Sequence, residues 1–102
     1  MNYTIILDSR SVQDIQQAID YYNQQQPGLG SQFEKTLDEH FVILQHNPFF
    51  RVRYDNVRCL PMKRFPYMIH FTADEQSAIV IIQAVLHTAG DPQRWHHHAY
   101  PI

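Results

Sequence analysis

The spacing of the apolar residues changes near Asn47 and Pro48, and this change limits the possible folds most strongly. From Val12 to Leu44 apolar residues recur at helical intervals, and after Pro48 they alternate as in strands with one buried face. The pattern predicts helices packed on a sheet. The 102 residues suit one domain, which we expect over residues 1–95 with a tail over residues 96–102.

The first half of the chain predicts a helical hairpin. One apolar stripe, on a helix ending near Gln26, consists of Val12, Ile15, Ala18, Ile19 and Tyr22. After a break at Pro27–Gly30, a second helix is expected to begin at Ser31, which can form a capping box with Glu34, and to end at Asn47. So short a connection predicts that the two helices are antiparallel.

Four segments predict strands, at residues 3–7, 57–62, 65–73 and 78–87. The last is apolar on both faces, which is typical of a central strand covered on each side. The order β-α-α-β-β-β predicts a two-layer α+β domain, with the helical hairpin packed on a small, mostly antiparallel sheet.

Positive charge is concentrated in one segment. Five of the eight basic residues lie there, with Asp55 as the only acid: Arg51, Arg53, Arg58, Lys63 and Arg64. The segment therefore carries +4, and the remaining three bases and nine acids give −6. This asymmetry has two readings, an exposed hairpin kept soluble by its arginines or a surface for a partner. Interleaved aromatics are typical of single-stranded nucleic-acid sites, but the alternation of Phe65 and Tyr67 favours core positions.

Other chemical signals are few. His87 ends the last strand, where it can act as an acid or base or simply bond to backbone. Cys59 has no second cysteine to pair with and is expected to be buried. We expect no cofactor and no metal, and we assign no site to His96, His97 and His98. No signal peptide is predicted, because the N-terminus lacks a basic start, an apolar run and a small-residue cleavage site. No membrane span is predicted either, because the longest apolar run is short and is interrupted by Gln83. A cytoplasmic location is expected.

The order of several short motifs resembles the RelE/ParE superfamily of toxins from type II toxin–antitoxin systems, in particular its ParE-like, plasmid-stabilisation branch. The resemblance covers most of the chain. Its pieces are Asp14–Ile15, Ala18, Tyr21–Tyr22, Pro27–Gly30 with Phe33, Asn47–Pro48, Val57–Arg58, Lys63–Tyr67, His87, Asp91–Pro92 and Trp95.

The resemblance implies the same fold and a growth-inhibiting toxin neutralised by a cognate antitoxin. RelE-like members cleave messenger RNA on the ribosome, whereas ParE-like members poison DNA gyrase. The implied target- or antitoxin-binding residues are Arg51, Arg53, Arg58, Lys63, Arg64 and Trp95. For a ribonuclease the candidate catalytic residues are Arg58, Lys63, Arg64 and His87. A non-toxic interaction module with the same fold is a third reading.

The sequence departs from the ribonuclease branch at two positions. That branch tends to carry a basic residue just after the aromatic of its third strand, where this chain has Met68, and an arginine after the last strand, where it has Thr88–Gly90. Cleavage of a phosphodiester requires cations where the transition state develops charge. The two departures weaken the ribonuclease interpretation and are equally compatible with a gyrase-type toxin or a degenerate, weakly toxic copy. Of the targets that the resemblance implies, we favour gyrase.

Overall fold

The computed structural model describes residues 2–89. Its elements follow in the order β1 (Thr4–Leu7), α1 (Ser9–Gln25), α2 (Leu29–His46), β2 (Val52–Tyr54), β3 (Val57–Pro61), β4 (Tyr67–Asp74) and β5 (Ile79–His87). The sheet has the order β1-β5-β4-β3-β2. β1 is parallel to β5 and all other neighbours are antiparallel. The predicted two-layer α+β fold is confirmed, with one additional strand.

The core lies between the helical hairpin and one face of the sheet. Phe33, Leu37 and Leu44 of α2 are at most 1% exposed, and Ile69 and Phe71 of β4 are fully buried. Each such side chain contributes about 1.5–3 kcal/mol through removal from water. Four rings, those of Tyr22, Phe33, Phe65 and Tyr67, close one end of this core with centroid distances of 4.9–6.1 Å.

α2 begins earlier than the predicted capping box at Ser31 and Glu34, which is wrong. The N-cap is Gly28, whose φ of 92° lies in the left-handed region, and both residues of the expected box are exposed within the helix. Gly30 explains the early start, because its amide donates to Asn23 Oδ1 at 2.9 Å and a Cβ there would lie 2.5 Å from the Ile19 carbonyl oxygen. Close contact with α1 fixes this turn of the hairpin.

β5 is the central strand that the sequence predicts, but it contains a bulge. Phe71 pairs with Ile82 and His70 with Ala84, so Gln83 is an extra residue without a partner in β4. Backbone amides point alternately to the two sides of a strand, so one extra residue makes the residues after it direct their amides to the opposite side. The amide of Val85 consequently donates to Asp14 Oδ2 at 3.0 Å, which joins the end of β5 to α1.

β2 is the strand that the sequence analysis missed. It is three residues long and pairs antiparallel with β3 through Val52–Arg58 and Tyr54–Val57. The turn between them has Asp55 in the left-handed region, with a φ of 48°. The strand therefore places Arg53 on an outer edge of the sheet rather than in a loop.

Candidate protein-binding surface

The basic residues divide into two exposed groups. Arg51 and Arg53 lie before and within β2, and we call them the edge arginines. Lys63 and Arg64 lie in the turn between β3 and β4, and we call them the turn cations. The groups lie at different heights along β3, since each strand residue advances about 3.3 Å. Together they are spread along β3 rather than gathered in one convergent site, and we call them the cationic strip.

Arg58 lies between the two groups but is used by the fold. Its Nη1 donates to the Phe50 carbonyl oxygen at 2.6 Å, and its guanidinium carbon lies 5.3 Å from the centre of the Phe49 ring. A charged hydrogen bond of this kind is worth about 1.5–3 kcal/mol. Arg58 therefore holds the connection between α2 and β2 against β3, and its side chain is only partly exposed.

The turn that carries Lys63 and Arg64 is held from both sides. Across its base, the amide of Met62 donates to the Tyr67 carbonyl oxygen at 2.9 Å. Phe65 turns inward and is 9% exposed, in edge contact with Tyr22. Arg64 itself has a φ of 72°, a conformation that disfavours side chains with a Cβ by roughly 1–2 kcal/mol.

Arg64 also lines a cleft against α2. The cleft has a volume of about 320 Å³, and its other walls are Gln32, Lys35, Thr36 and Glu39. Lys35 adds a second cation there and Glu39 a carboxylate. The turn cations thus continue onto the exposed face of α2, a neighbour that the sequence analysis did not foresee.

His87 lies at the end of β5, where the sequence analysis expects it. Its Nδ1 accepts a hydrogen bond from the Ala89 amide at 3.0 Å, and its ring stands edge-on to Tyr67 at 5.2 Å. With Asp14 and Tyr21 of α1, it lines a cavity of about 280 Å³. Burial, followed by the nearby Tyr22, Tyr21 and Asp14, raises the pKa of Tyr67.

Two of the candidate ribonuclease residues, Arg58 and His87, do not converge. Arg58 is opposite Phe71 in β4, whereas His87 is opposite Tyr67 at the other end of that strand. Four residues along the strand and two strand spacings across the sheet put their backbones about 16 Å apart. Acid–base and charge-stabilising groups act within hydrogen-bond reach of one reacting centre. Arg58 and His87 cannot serve one such centre.

The face of the sheet opposite the helices carries a smaller buried cluster of Cys59 and Met68. Met68 is 8% exposed, so the position after the aromatic of β4 points into this cluster. Burial raises the pKa of Cys59 to about 11, which keeps the thiol protonated and supports its interpretation as packing. His70 lies beside it, with Nδ1 3.4 Å from Cys59 Sγ and 3.0 Å from the Tyr54 hydroxyl.

Some predictions concern residues outside the described part of the chain. They are the binding residue Trp95, the departure at Gly90, the Asp91–Pro92 pair, and His96, His97 and His98. Within residues 2–89, no three side chains of His, Cys, Asp or Glu cluster as metal ligands would. The helices in the same range are too short or too polar to cross a bilayer.

Several solved protein structures are similar to this fold. The chain has structural similarity to a protein of the chromosomal ParDE toxin–antitoxin system from P. aeruginosa, with a TM-score of 0.74 and 17% identity over 83% of this chain and 95% of that one. It is also similar to an arginine double mutant of E. coli toxin RelE. In the free state the TM-score is 0.64 at 14% identity, and in complex with an antitoxin RelBc peptide it is 0.66 at 15%. Both alignments cover 100% of this chain and 99% of the other.

No curated protein sequence matches the chain. The family model of the ParE toxin of the type II toxin–antitoxin system parDE matches residues 5–92, which include every described helix and strand except the first residue of β1. The resemblance read from the short motifs is therefore confirmed. The chain belongs to the ParE toxin family of type II toxin–antitoxin systems, within the RelE/ParE superfamily.

Proposed function

We propose that this toxin inhibits growth by binding DNA gyrase through its edge arginines and turn cations. The observation that carries the proposal is the spread of its cations along the sheet. A protein interface uses an extended patch of about 800 Å² on each partner, whereas phosphodiester cleavage requires groups gathered around one phosphorus. The cationic strip fits the first requirement.

Exposed apolar side chains beside the strip support a protein partner. Phe49 is 47% exposed and Val52 is 43% exposed, and the edge arginines flank Val52 in the sequence. Interfaces commonly combine an apolar centre with a polar rim, and arginine is enriched among the residues that dominate their affinity.

A cognate antitoxin, in this proposal, covers the same surface and so competes with the target. The RelE complex with an antitoxin peptide supports a protein neutraliser. In the described part of the chain, β2 has β3 as its one neighbour in the sheet. An extended segment can add to such an edge through backbone hydrogen bonds. Because Arg51 and Arg53 flank this edge, a segment with acidic side chains suits it best.

A ribosome-dependent ribonuclease is the second candidate, and one observation favours it. The amide of Thr88 donates to the Pro66 carbonyl oxygen at 2.8 Å, so His87 lies at the same end of the sheet as the turn cations. Lys63, Arg64 and His87 are then the residues available for this chemistry, without Arg58.

The experiment compares the two candidates in parallel. Induced expression without an antitoxin should stop growth, and the purified protein should inhibit gyrase supercoiling. Unimpaired supercoiling at a saturating concentration of folded protein refutes gyrase as target. Primer extension on translated messages identifies a ribonuclease if it reveals codon-linked cuts that Arg64→Ala removes. Unchanged growth on induction identifies a non-toxic module.

A further inference from the structure

A buried histidine of α2 is hydrogen-bonded through both of its ring nitrogens. His40 is 3% exposed. Its Nδ1 lies 2.7 Å from the Thr36 carbonyl oxygen, and its Nε2 lies 3.1 Å from the Lys63 amide nitrogen. A carbonyl oxygen can only accept, and an amide N–H can only donate. These two partners assign the neutral tautomer with the proton on Nδ1 and the lone pair on Nε2.

The bond to Lys63 joins α2 to the turn at the residue that begins the pair of turn cations. The hydrogen bond from Met62 to Tyr67 closes the base of this turn within the sheet. It does not fix the position of the turn relative to the helices. Phe65 packs the far side of the turn on Tyr22 and Phe33, and His40 adds a directional hydrogen bond to α2 at Lys63. Thr36, which accepts from His40, also lines the cleft that contains Arg64.

We infer that His40 is a positioning residue, which fixes the turn cations against α2 in the geometry that binds the target. The inference rests on the proposed function only in assigning target contact to Lys63 and Arg64. The buried imidazole does not contact the target protein itself. Its effect passes through one hydrogen bond, so a side chain that accepts at the same place should replace it.

Two substitutions separate this role from simple packing. His40→Gln keeps an acceptor, Oε1, that can reach the Lys63 amide. His40→Leu has comparable bulk and no acceptor. His46→Leu, in the exposed last residue of α2, is the matched control for losing a histidine from this helix.

NMR supplies a readout that needs no target. In the wild type, ring nitrogen spectra should show His40 protonated at Nδ1, and the Lys63 amide should exchange at least about tenfold more slowly than in His40→Leu. His40→Gln and His46→Leu should retain slow exchange. A wild-type ring protonated at Nε2, or an unprotected Lys63 amide, overturns the inference even if His40→Leu fails to fold.

Supercoiling assays then test the consequence for binding. His40→Leu should require about tenfold more protein for half-inhibition, the cost of one lost hydrogen bond, with His40→Gln close to wild type. Full inhibition by a His40→Leu protein whose Lys63 amide exchanges freely overturns the positioning role. Absence of inhibition by the wild type refutes gyrase as target instead, and the NMR measurements then decide the anchoring by themselves.

Discussion

Replacement of Arg64 by glycine should make the protein more stable and a weaker inhibitor at once. Arg64 has a φ of 72°, a left-handed conformation that costs a residue with a Cβ roughly 1–2 kcal/mol. Glycine removes that cost but adds about 0.5–1 kcal/mol of backbone entropy to the unfolded chain. The side chain is exposed, so little packing is lost. The net gain in free energy of unfolding is about 0–1.5 kcal/mol.

For a domain of this size that gain raises Tm by up to about 7 °C. Inhibition of gyrase by Arg64→Gly should weaken about tenfold, since an interfacial arginine commonly contributes more than 1 kcal/mol. Thermal unfolding and the supercoiling assay measure the two effects on the same preparation. Ala78→Gly is the control, because Ala78 has a φ of 56° and carries no charge. It should leave inhibition unchanged.

Arg64→Gly should thus raise stability and lower inhibition, and each of these two effects can be refuted separately. A lower Tm for Arg64→Gly would contradict the strain argument. Wild-type inhibition by the same variant would contradict the assignment of Arg64 to the binding surface. Strained residues persist where function requires their side chains, so both effects together would explain why this turn carries an arginine.

Three further predictions concern the scaffold. Gly30→Ala should lower the free energy of unfolding by about 1–3 kcal/mol in urea denaturation, because its Cβ would lie 2.5 Å from the Ile19 carbonyl oxygen; wild-type stability would show that the helices can separate freely. Arg58→Ala should lower the free energy of unfolding by about 2–4 kcal/mol in the same assay, because it removes the charged hydrogen bond to Phe50 and the contact with the Phe49 ring. A smaller decrease would show that the fold does not hold the guanidinium, which would then be available to contact the target. The pKa of Cys59 rises from 9.0 to about 11 on folding, so its protonated form stabilises the fold below pH 9 and this contribution is lost as pH rises from about 9 to 11. In Cys59→Val the free energy of unfolding should fall less between pH 9 and pH 11 than in the wild type. An equally large fall would contradict this role of the Cys59 thiol.

The architecture could be predicted because burial imposes strong periodicities. Two apolar stripes at helical spacing and an alternating second half specify a hairpin of helices on a sheet. The start of α2 could not be predicted from Ser31 and Glu34, because Gly30 makes a tertiary contact with α1 that local capping rules do not contain. β2 escaped detection because it is three residues long, lies at an edge of the sheet, and is mostly exposed.

The site was located only in outline. Charge counting found the segment from Arg51 to Arg64, but it could not show that Arg58 bonds to Phe50 or that the other cations spread along the sheet. His40 gave no signal, since a histidine on a helix is compatible with exposure, packing or catalysis until its two partners are known. The bulge at Gln83 depends on pairing between strands and has no local signature.

The decisive measurement is titration of the purified chain into a gyrase supercoiling reaction. Inhibition should saturate with concentration, weaken about tenfold in Arg64→Gly, and be relieved by the cognate antitoxin. Unimpaired supercoiling at saturation, from protein whose cooperative unfolding shows that it is folded, would contradict gyrase as the target.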